Sequence, residues 1–106
     1  MSRFMRLVVF FDLPVVTKPA RRRYAQFRRF LLNDGYDMIQ FSVYARICNG
    51  QDAVNKHTDM LAANVPEVGS VRYMQVTEKQ FANIQVLAGT KKKKEDPKFA
   101  SQLSFF

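Results

Sequence analysis

Hydrophobic positions first cluster at residues 4–11, where a run of apolar residues ends in Asp12, Leu13 and Pro14. β-branched and aromatic residues dominate this run, so it predicts a strand. Alternate positions belong to opposite faces of a strand. One face carries Leu7, Val9 and Phe11, and the other carries Arg6, Val8, Phe10 and Asp12. Because both faces are apolar at the centre, we expect helices to cover one and a partner molecule to cover the other.

Residues 17–34 show the spacing of an amphipathic helix. Thr17 suits the N-cap, Pro19 suits the first turn and Gly35 suits the end of the helix. The apolar positions that fall on one stripe are Ala20, Tyr24, Phe27 and Leu31. The opposite side holds no acid before Asp34, and its basic residues are Lys18, Arg22 and Arg29, flanked by Arg21 and Arg28.

Residues 37–47 alternate strictly between apolar and polar, which predicts one long strand. Its apolar face would hold Ile39, Phe41, Val43, Ala45 and Ile47, and its polar face Gln40, Ser42, Tyr44 and Arg46. Further along the chain, we predict a helix over 52–63, a strand over 71–76, a connector over 77–81 and a fourth strand over 83–88.

Four strands and two long helices place the chain in the α+β class, and we expect them to form a ferredoxin-like fold, whose order is β-α-β-β-α-β. In this fold a four-stranded antiparallel sheet carries both helices on one face. The predicted domain covers residues 1–89. Residues 90–106 form a basic linker and an apolar C-terminal segment, which we expect to be a strand that can be exchanged with a partner protomer.

The charge of the chain is strongly basic, with a net charge of +8 and a pI near 10. Residues 90–98 hold five lysines and two acids, which leaves +5 for the rest of the chain. Such a field favours polyanions, and the single sign of the helix surface favours phosphate contacts over a merely solvated face. We therefore predict sequence-independent nucleic-acid binding by Lys18, Arg21, Arg22, Arg28, Arg29, Lys91 and Lys92.

The sequence lacks the motifs of several other functional classes, such as nucleotide-binding and metal-binding proteins. The chain holds no Gly-rich phosphate loop, no CxxC or HxxxH spacing and only one histidine, His57, which is more typical of a packed or surface residue than of a general base. Cys48 is the only cysteine, which suits a reducing cytoplasm. The apolar run before Asp12 is too short for a signal peptide or a membrane span, so we expect a cytoplasmic protein without a membrane partner.

Asp12 is the one acid whose position invites chemistry. The simpler interpretation is that it caps the turn after the strand. A single carboxylate is also a poor site for Mg²⁺, which takes six oxygen ligands. If the second sheet face packs against a symmetry mate, however, two copies of Asp12 approach across the two-fold axis and could hold a metal that activates water against a phosphodiester.

Three segments resemble the Cas2 family of CRISPR-associated proteins, and their middle stretch is most similar to the form found in type II systems. They are "MRLVVFFDLP" at 5–14, "YAQFRRFLLNDGYDMIQFSVYAR" at 24–46 and "VTEKQF" at 76–81. The resemblance implies a ferredoxin-like homodimer joined through its sheet faces, with exchanged C-terminal strands. We predict a dimer interface that includes Val8, Phe10, Tyr44, Leu103 and Phe105.

The resemblance also implies a role. Asp12 is then the catalytic residue and Mg²⁺ ligand of a metal-dependent endoribonuclease or deoxyribonuclease. The same family dimer bridges two integrase dimers and holds a prespacer DNA duplex during spacer acquisition, where the nuclease aspartate is regarded as dispensable. The segment "SQLSFF" departs from the family, whose C-terminal segment is longer and richer in β-branched residues.

Two hypotheses follow, and a third is weaker. We favour a non-catalytic scaffold that binds duplex DNA and joins integrase dimers, because one acid without an evident base or cation makes a thin active site. The alternative is a Mg²⁺-dependent nuclease that acts at the dimer axis through Asp12. The third is a toxin-like ribonuclease that acts without an integrase.

Overall fold

The computed structural model describes residues 3–89, which form one four-stranded sheet with helices packed on it. In chain order the elements are β1 (Phe4–Asp12), α1 (Lys18–Asn33), β2 (Asp37–Gln40), β3 (Val43–Asn49), α2 (Gln51–Ala63), β4 (Ser70–Thr77) and α3 (Glu78–Ala82). The strand order is β2-β3-β1-β4, and each neighbouring pair is antiparallel. The predicted ferredoxin-like α+β fold is confirmed. The predicted linker and C-terminal strand, with Lys91, Lys92, Leu103 and Phe105, lie outside the described residues.

The long strand predicted over 37–47 is wrong, because the chain turns back in the middle of it. Phe41 and Ser42 separate β2 from β3, and Ser42 takes the left-handed backbone conformation with φ 65°. The two halves then pair antiparallel with each other, with an irregularity between Met38 and Gln40. Because the turn is made by Ser at positive φ rather than by Gly, Asn or Pro, the alternating pattern runs through it without a visible break.

The core lies on the predicted polar face of this segment. Ile39 and Phe41, on the predicted apolar face, are 42% and 60% exposed, whereas Tyr44 on the predicted polar face is 1% exposed. Tyr44 lies opposite Val9 and shares its helix-covered side. Val43, Ala45 and Ile47 stay together on the opposite side of β3, so the alternation is as predicted, but the set that contains Tyr44 faces the helices.

The strand predicted over 83–88 is also absent. Within the described chain, β4 leads directly into α3, whose N-terminus is fixed by a capping box: Thr77 accepts from Gln80 N–H, and the Gln80 side chain accepts from Thr77 N–H. Residues 83–89 that follow form no strand, and Leu87 is 98% exposed. The sheet still has four strands, because the segment predicted as one strand over 37–47 forms both β2 and β3.

The core lies between the sheet and the two long helices. It contains Leu7, Val9, Phe11, Leu13, Phe27, Leu31, Tyr36, Tyr44, Cys48, Val54 and Leu61. Phe11 sits at its centre, with its ring centroid 5.2 Å from that of Phe27, 5.6 Å from Tyr44 and 6.0 Å from Tyr24. The apolar stripe predicted for α1 therefore faces the sheet, and both helices cover the Leu7–Val9–Phe11 side of β1.

The other side of the sheet, which we call the outer face, is apolar at its centre. The strand registers place on it Arg6, Val8, Phe10 and Asp12 of β1, Val43, Ala45 and Ile47 of β3, and Arg72, Met74 and Val76 of β4. Phe10 is 38% exposed, Ile47 43% and Met74 48%. Sheet faces of this kind are normally covered, so this one is suited to a protein partner.

The start of β4 packs closely against the end of β1 at a glycine. Gly69 has φ +105°, and a Cβ atom there would lie 2.6 Å from Leu13 Cδ2 and 2.8 Å from the backbone oxygen of Asp12. An L-residue would be strained in this conformation and would also displace the backbone beside Asp12.

We therefore expect Gly69→Ala to destabilise the fold more than Gly50→Ala, by at least about 1 kcal/mol in urea unfolding. Gly50 also has a positive φ, +89°, but its nearest neighbour would be Arg3 Nη2 at 3.4 Å. The difference in unfolding free energy between the two variants thus measures the cost of a Cβ atom against Asp12 and Leu13. Equal losses of stability would show that this contact is unimportant.

Candidate nucleic-acid interface and acidic site

The basic surface of α1 begins at a well-formed helix N-terminus. Thr17 is the N-cap and its hydroxyl accepts from Ala20 N–H at 3.2 Å, with Pro19 in the first turn. No acid lies in that turn. Lys18, Arg22 and Arg29 are exposed and form no side-chain hydrogen bond or ion pair with any residue of 3–89. This helix surface is therefore free to bind an anionic partner.

Two other predicted basic residues are engaged within the protein. Arg21 Nη1 donates to the backbone oxygens of Val15 and Val16, at 3.2 and 2.9 Å, and so holds the loop between β1 and α1. Arg28 Nε donates to the Tyr44 hydroxyl at 2.9 Å. A guanidinium carries five N–H donors, so both residues keep donors for a phosphate, but their position is set by the fold.

Tyr44 does not lie on the outer face where the dimer interface is predicted, and this part of the prediction is corrected. Its ring packs on Phe11 and its hydroxyl reaches Arg28 of α1. Burial raises the pKa of Tyr44, and the hydrogen bond from Arg28 opposes that effect. Val8 and Phe10, in contrast, do lie on the outer face.

Asp12 is the last residue of β1 and is exposed at one end of the outer face. It lines an open depression of about 520 Å³, together with Phe10, Phe11, Ser42, Val43, Ser70 and Arg72. The hairpin turn closes one side of the depression because Phe11 N–H donates to the Ser42 backbone oxygen at 3.0 Å. Within the described chain, no side chain bonds to the Asp12 carboxylate. It is therefore a free acid at a concave surface.

The residues around Asp12 in one chain do not by themselves fit a Mg²⁺ site. The depression offers a single carboxylate and two serine hydroxyls, and it also contains the cationic side chain of Arg72. No group of three His, Cys, Asp or Glu side chains comes together anywhere in residues 3–89. A site for this hard cation would need carboxylate or carbonyl oxygens from a second molecule.

A polar cluster without any signature in the sequence closes the end of α1. Arg46 of β3 donates to the backbone oxygen of Asp34, the C-cap residue, and its Nη1 lies 3.7 Å from Asp34 Oδ1. His57 Nδ1 of α2 lies 2.9 Å from Asp34 Oδ2. Arg46 Nη1 lies 3.1 Å from the same Nδ1, so the three side chains meet in one cluster. His57 is thus a packed residue that joins α2 to the end of α1.

A second ion pair attaches α3 to the sheet. Arg6 Nε donates to Glu78 Oε2 at 2.6 Å and Arg6 Nη2 donates to Glu78 Oε1 at 3.0 Å. The same guanidinium lies 4.5 Å from the centroid of the Phe81 ring. Arg6 therefore fixes the segment "VTEKQF" against the first half of β1, although Arg6 and Glu78 are 72 positions apart in the chain.

The Cys48 thiol is packed in the core. Cys48 is 1% exposed, and burial raises the pKa of its thiol, which keeps it protonated. Among the described residues, no helix is long and apolar enough to cross a membrane.

Together these features define a small ferredoxin-like protein with a basic helix surface, an apolar outer face and one exposed acid. Comparison with known proteins gives its family. The family model for CRISPR associated protein Cas2 matches residues 5–84. The chain belongs to this Cas2 family.

Three relatives match over nine-tenths or more of both chains. A protein named CRISPR-associated endoribonuclease Cas2 from Acidovorax ebreus is 60% identical over 102 residues, which cover 96% of this chain and all of the relative. Proteins of the same name from Parvibaculum lavamentivorans and Flavobacterium psychrophilum are 41% and 39% identical, over 96% and 98% of this chain and 100% and 90% of their own.

We predict that the Arg6–Glu78 pair gives the fold a pH dependence in the acid range. The hydrogen bond from Arg6 lowers the pKa of Glu78 below 4.5 in the folded state. A carboxyl whose folded pKa is depressed stabilises the fold above its unfolded pKa, and this contribution is lost as the pH falls through the folded pKa. Wild type should therefore melt above Glu78→Gln at neutral pH, and the difference in Tm should vanish toward pH 3.

Glu67→Gln is the matched control, since Glu67 is exposed and no described residue pairs with it. Its Tm should follow that of wild type across the same pH range. A constant difference between wild type and Glu78→Gln at all pH values would contradict an electrostatic contribution from this pair.

Proposed function

We propose that this protein is the small subunit of a CRISPR adaptation complex: a homodimer that binds duplex DNA without sequence preference and bridges two integrase dimers. The observation that carries the proposal is the surface of α1, where Lys18, Arg22 and Arg29 are exposed with no acid among them. The integrase partner is inferred from the family resemblance alone.

The length and charge of this surface suit a duplex. Lys18 and Arg29 are eleven residues apart, which is about 16 Å along a helix axis. Duplex DNA carries roughly ten phosphates over that distance. Gln26 and Asn33 lie at helical spacing from Arg22 and Arg29, but positive charge predominates on this surface, so most contacts are expected with the backbone.

A homodimer through the outer face supports the same function. Phe10, Ile47 and Met74 leave apolar surface exposed at the centre of that face. Pairing two outer faces covers this surface and leaves the helices of both protomers on the outside. The basic surface of α1 then occurs twice on one particle, which lengthens the platform for a duplex. In this proposal Val8 and Phe10 belong to the interface and Tyr44 does not.

The dimer can be tested by introducing a charged residue at the centre of the proposed interface. We expect Phe10→Glu to convert the dimer to a monomer in light scattering, because it would bury an unpaired carboxylate in the interface. Leu32→Glu is the control, since Leu32 of α1 is 41% exposed against 38% for Phe10 and lies on the helix side. A dimer that survives Phe10→Glu, or a monomeric wild type, would rule out this interface.

DNA binding can be tested through its salt dependence. Replacing both Arg22 and Arg29 with Ala should lower the affinity for duplex DNA and reduce the slope of log K against log salt by about 0.9 for each phosphate that the variant no longer neutralises. The control replaces Lys56 of α2 and Lys79 of α3 with Ala, which removes the same charge elsewhere. Equal effects of the two double variants would show that only net charge matters and that α1 is not the platform.

A second candidate function is cleavage of a phosphodiester at Asp12. The observation that favours it is the exposed, unbonded carboxylate of Asp12 in a depression that also holds Arg72. The relatives named endoribonucleases point the same way. Because one chain does not supply the oxygens for Mg²⁺, any metal-dependent activity would require a second protomer.

Asp12→Asn separates the two candidates. We expect it to leave the dimer, duplex binding and spacer acquisition intact, and to abolish any Mg²⁺-dependent cleavage of RNA or DNA. The assay compares wild type and the variant on the same preparations, in cells for acquisition and in solution for cleavage. Failure of acquisition with dimer and DNA binding preserved would show that the acid, and not only the scaffold, is required.

A further inference from the structure

The outer face carries opposite charges at its two edges. Asp37 belongs to β2, the strand at one edge of the sheet, and Arg72 belongs to β4, the strand at the other edge. Asp37 lies opposite Ala45 in the register of β2 and β3. Arg72 lies opposite Phe10 in the register of β1 and β4. Opposite residues share a face, so both charges belong to the outer face, with its apolar centre between them.

Neither charge is paired within the described chain. Arg72 and Asp37 are exposed, and no hydrogen bond or ion pair joins either side chain to any residue of 3–89. The other two arginines of the strands, Arg6 and Arg46, each donate to a neighbouring residue. Arg72 is thus the one cation of the described strands that lacks a counter-charge. The acids of these strands are Asp12 and Asp37.

Pairing two outer faces takes both charges out of water. A guanidinium or a carboxylate that loses its hydration without gaining a partner destabilises the complex. In a two-fold dimer the same surface is used twice, so a residue of one protomer can meet a different residue of its partner, and the reverse contact forms as well. The positive edge and the negative edge of the outer face therefore make this face complementary to a second copy of itself.

The sheet topology decides which strands meet across such an interface. A two-fold axis that runs along the strands at the centre of the sheet, between β3 and β1, exchanges the two edges. It brings β1 over the partner's β3 and β4 over the partner's β2. Arg72 then lies over the strand that begins with Asp37. The registers place the two residues two positions apart along the strands, roughly 7 Å, which an arginine side chain can span.

Other pairings of Arg72 fit the charges less well. An axis across the strands would bring β4 over the partner's β4, whose residues on the outer face include no acid. Arg72 would then be buried without a counter-charge. With the axis along the strands, Asp12 is not its counterpart either, because Asp12 belongs to β1, which lies over the partner's β3. The charges thus favour the arrangement in which β4 meets β2.

We propose that Arg72 forms an ion pair with the partner's Asp37, twice in each dimer, and that these two pairs fix the orientation of one sheet on the other. Apolar contact at the centre of the face supplies buried area but has no direction, whereas charge pairs fix the register of an interface. The inference rests on the homodimer of the proposed function, and it specifies how the two outer faces of that dimer are arranged.

The experiment reverses each charge separately and then mixes the two proteins. The variants are Arg72→Asp and Asp37→Arg. Lys56→Asp on α2 is the control, because it makes the same change of charge on an exposed surface away from the sheet. Sedimentation gives the dimer dissociation constant of each protein, and circular dichroism checks its folding. Native mass spectrometry identifies the composition of the dimers in an equimolar mixture of the two variants, which differ in mass.

Each single reversal places like charges at both symmetric sites of the dimer. We therefore expect Arg72→Asp and Asp37→Arg each to raise the dimer dissociation constant about 100-fold, which is about tenfold for each site. Lys56→Asp should dimerise as wild type does. A heterodimer of the two variants has opposite charges at both sites, the reversed pair at one and the original pair at the other. It should form in preference to either homodimer, with an affinity close to that of wild type.

The mixture separates a pair between protomers from a pair within one chain, because mixing cannot restore the latter. Unchanged dimer affinity in both variants would overturn the inference, and so would a mixture without preference for the heterodimer. Preferential pairing of Arg72→Asp with Asp12→Arg, measured in the same way, would overturn it in favour of Asp12. If Phe10→Glu dissociates the dimer and neither charge reversal does, this inference fails and the proposed dimer stands. A monomeric wild type would overturn both.

Discussion

The structure depends on one constraint: its central strand is apolar on both faces, while the helices of the domain cover only one. The Leu7–Val9–Phe11 side of β1 is enclosed by α1 and α2, and Phe11 alone contacts three other aromatic rings. On the other side, Val8 is buried by its neighbours but Phe10 is 38% exposed. Since uncovered apolar surface is unfavourable in water, β1 both builds the core of the protein and leaves apolar surface on the outer face that favours association.

The same strand separates two chemical environments. Helix α1 presents positive charge on the surface that faces away from the sheet. The outer face ends in Asp12 and Arg72, which do not bond to each other. The basic surface of α1 and the Asp12 carboxylate are thus on opposite sides of the sheet. In the function that we propose, one of these sides holds a nucleic acid and the other contacts a second protomer.

The elements that could be predicted from the sequence are those with local signals. The N-cap at Thr17, the stripe through Phe27 and Leu31 and the apolar run of β1 all behave as their spacing indicates. The hairpin at Ser42 could not be predicted in this way, because a serine at positive φ carries no turn signature. The position of Asp12 at the end of β1 could also be predicted, because it directly follows an apolar run.

The contacts that could not be predicted connect residues far apart in the chain. Arg46, Asp34 and His57 come from three different parts of the fold, and nothing in the spacing of these residues shows that they meet. Arg6 and Glu78 are 72 positions apart, and Arg72 lines the same depression as Asp12 only because of the strand register. Such pairs become visible only when the topology of the sheet is known, because charged residues at a surface have many alternative partners.

The hydrogen bond from Arg28 to Tyr44 makes Arg28 less mobile than the other basic residues on the surface of α1. Tyr44 is 1% exposed, and Arg28 is its only hydroxyl partner in the described chain. If Arg28 swung out to a ligand, a buried phenol would be left unsatisfied, at a cost of about 1–3 kcal/mol. Arg28 is therefore held in place by the core, whereas the side chains of Lys18, Arg22 and Arg29 on the same helix are unengaged.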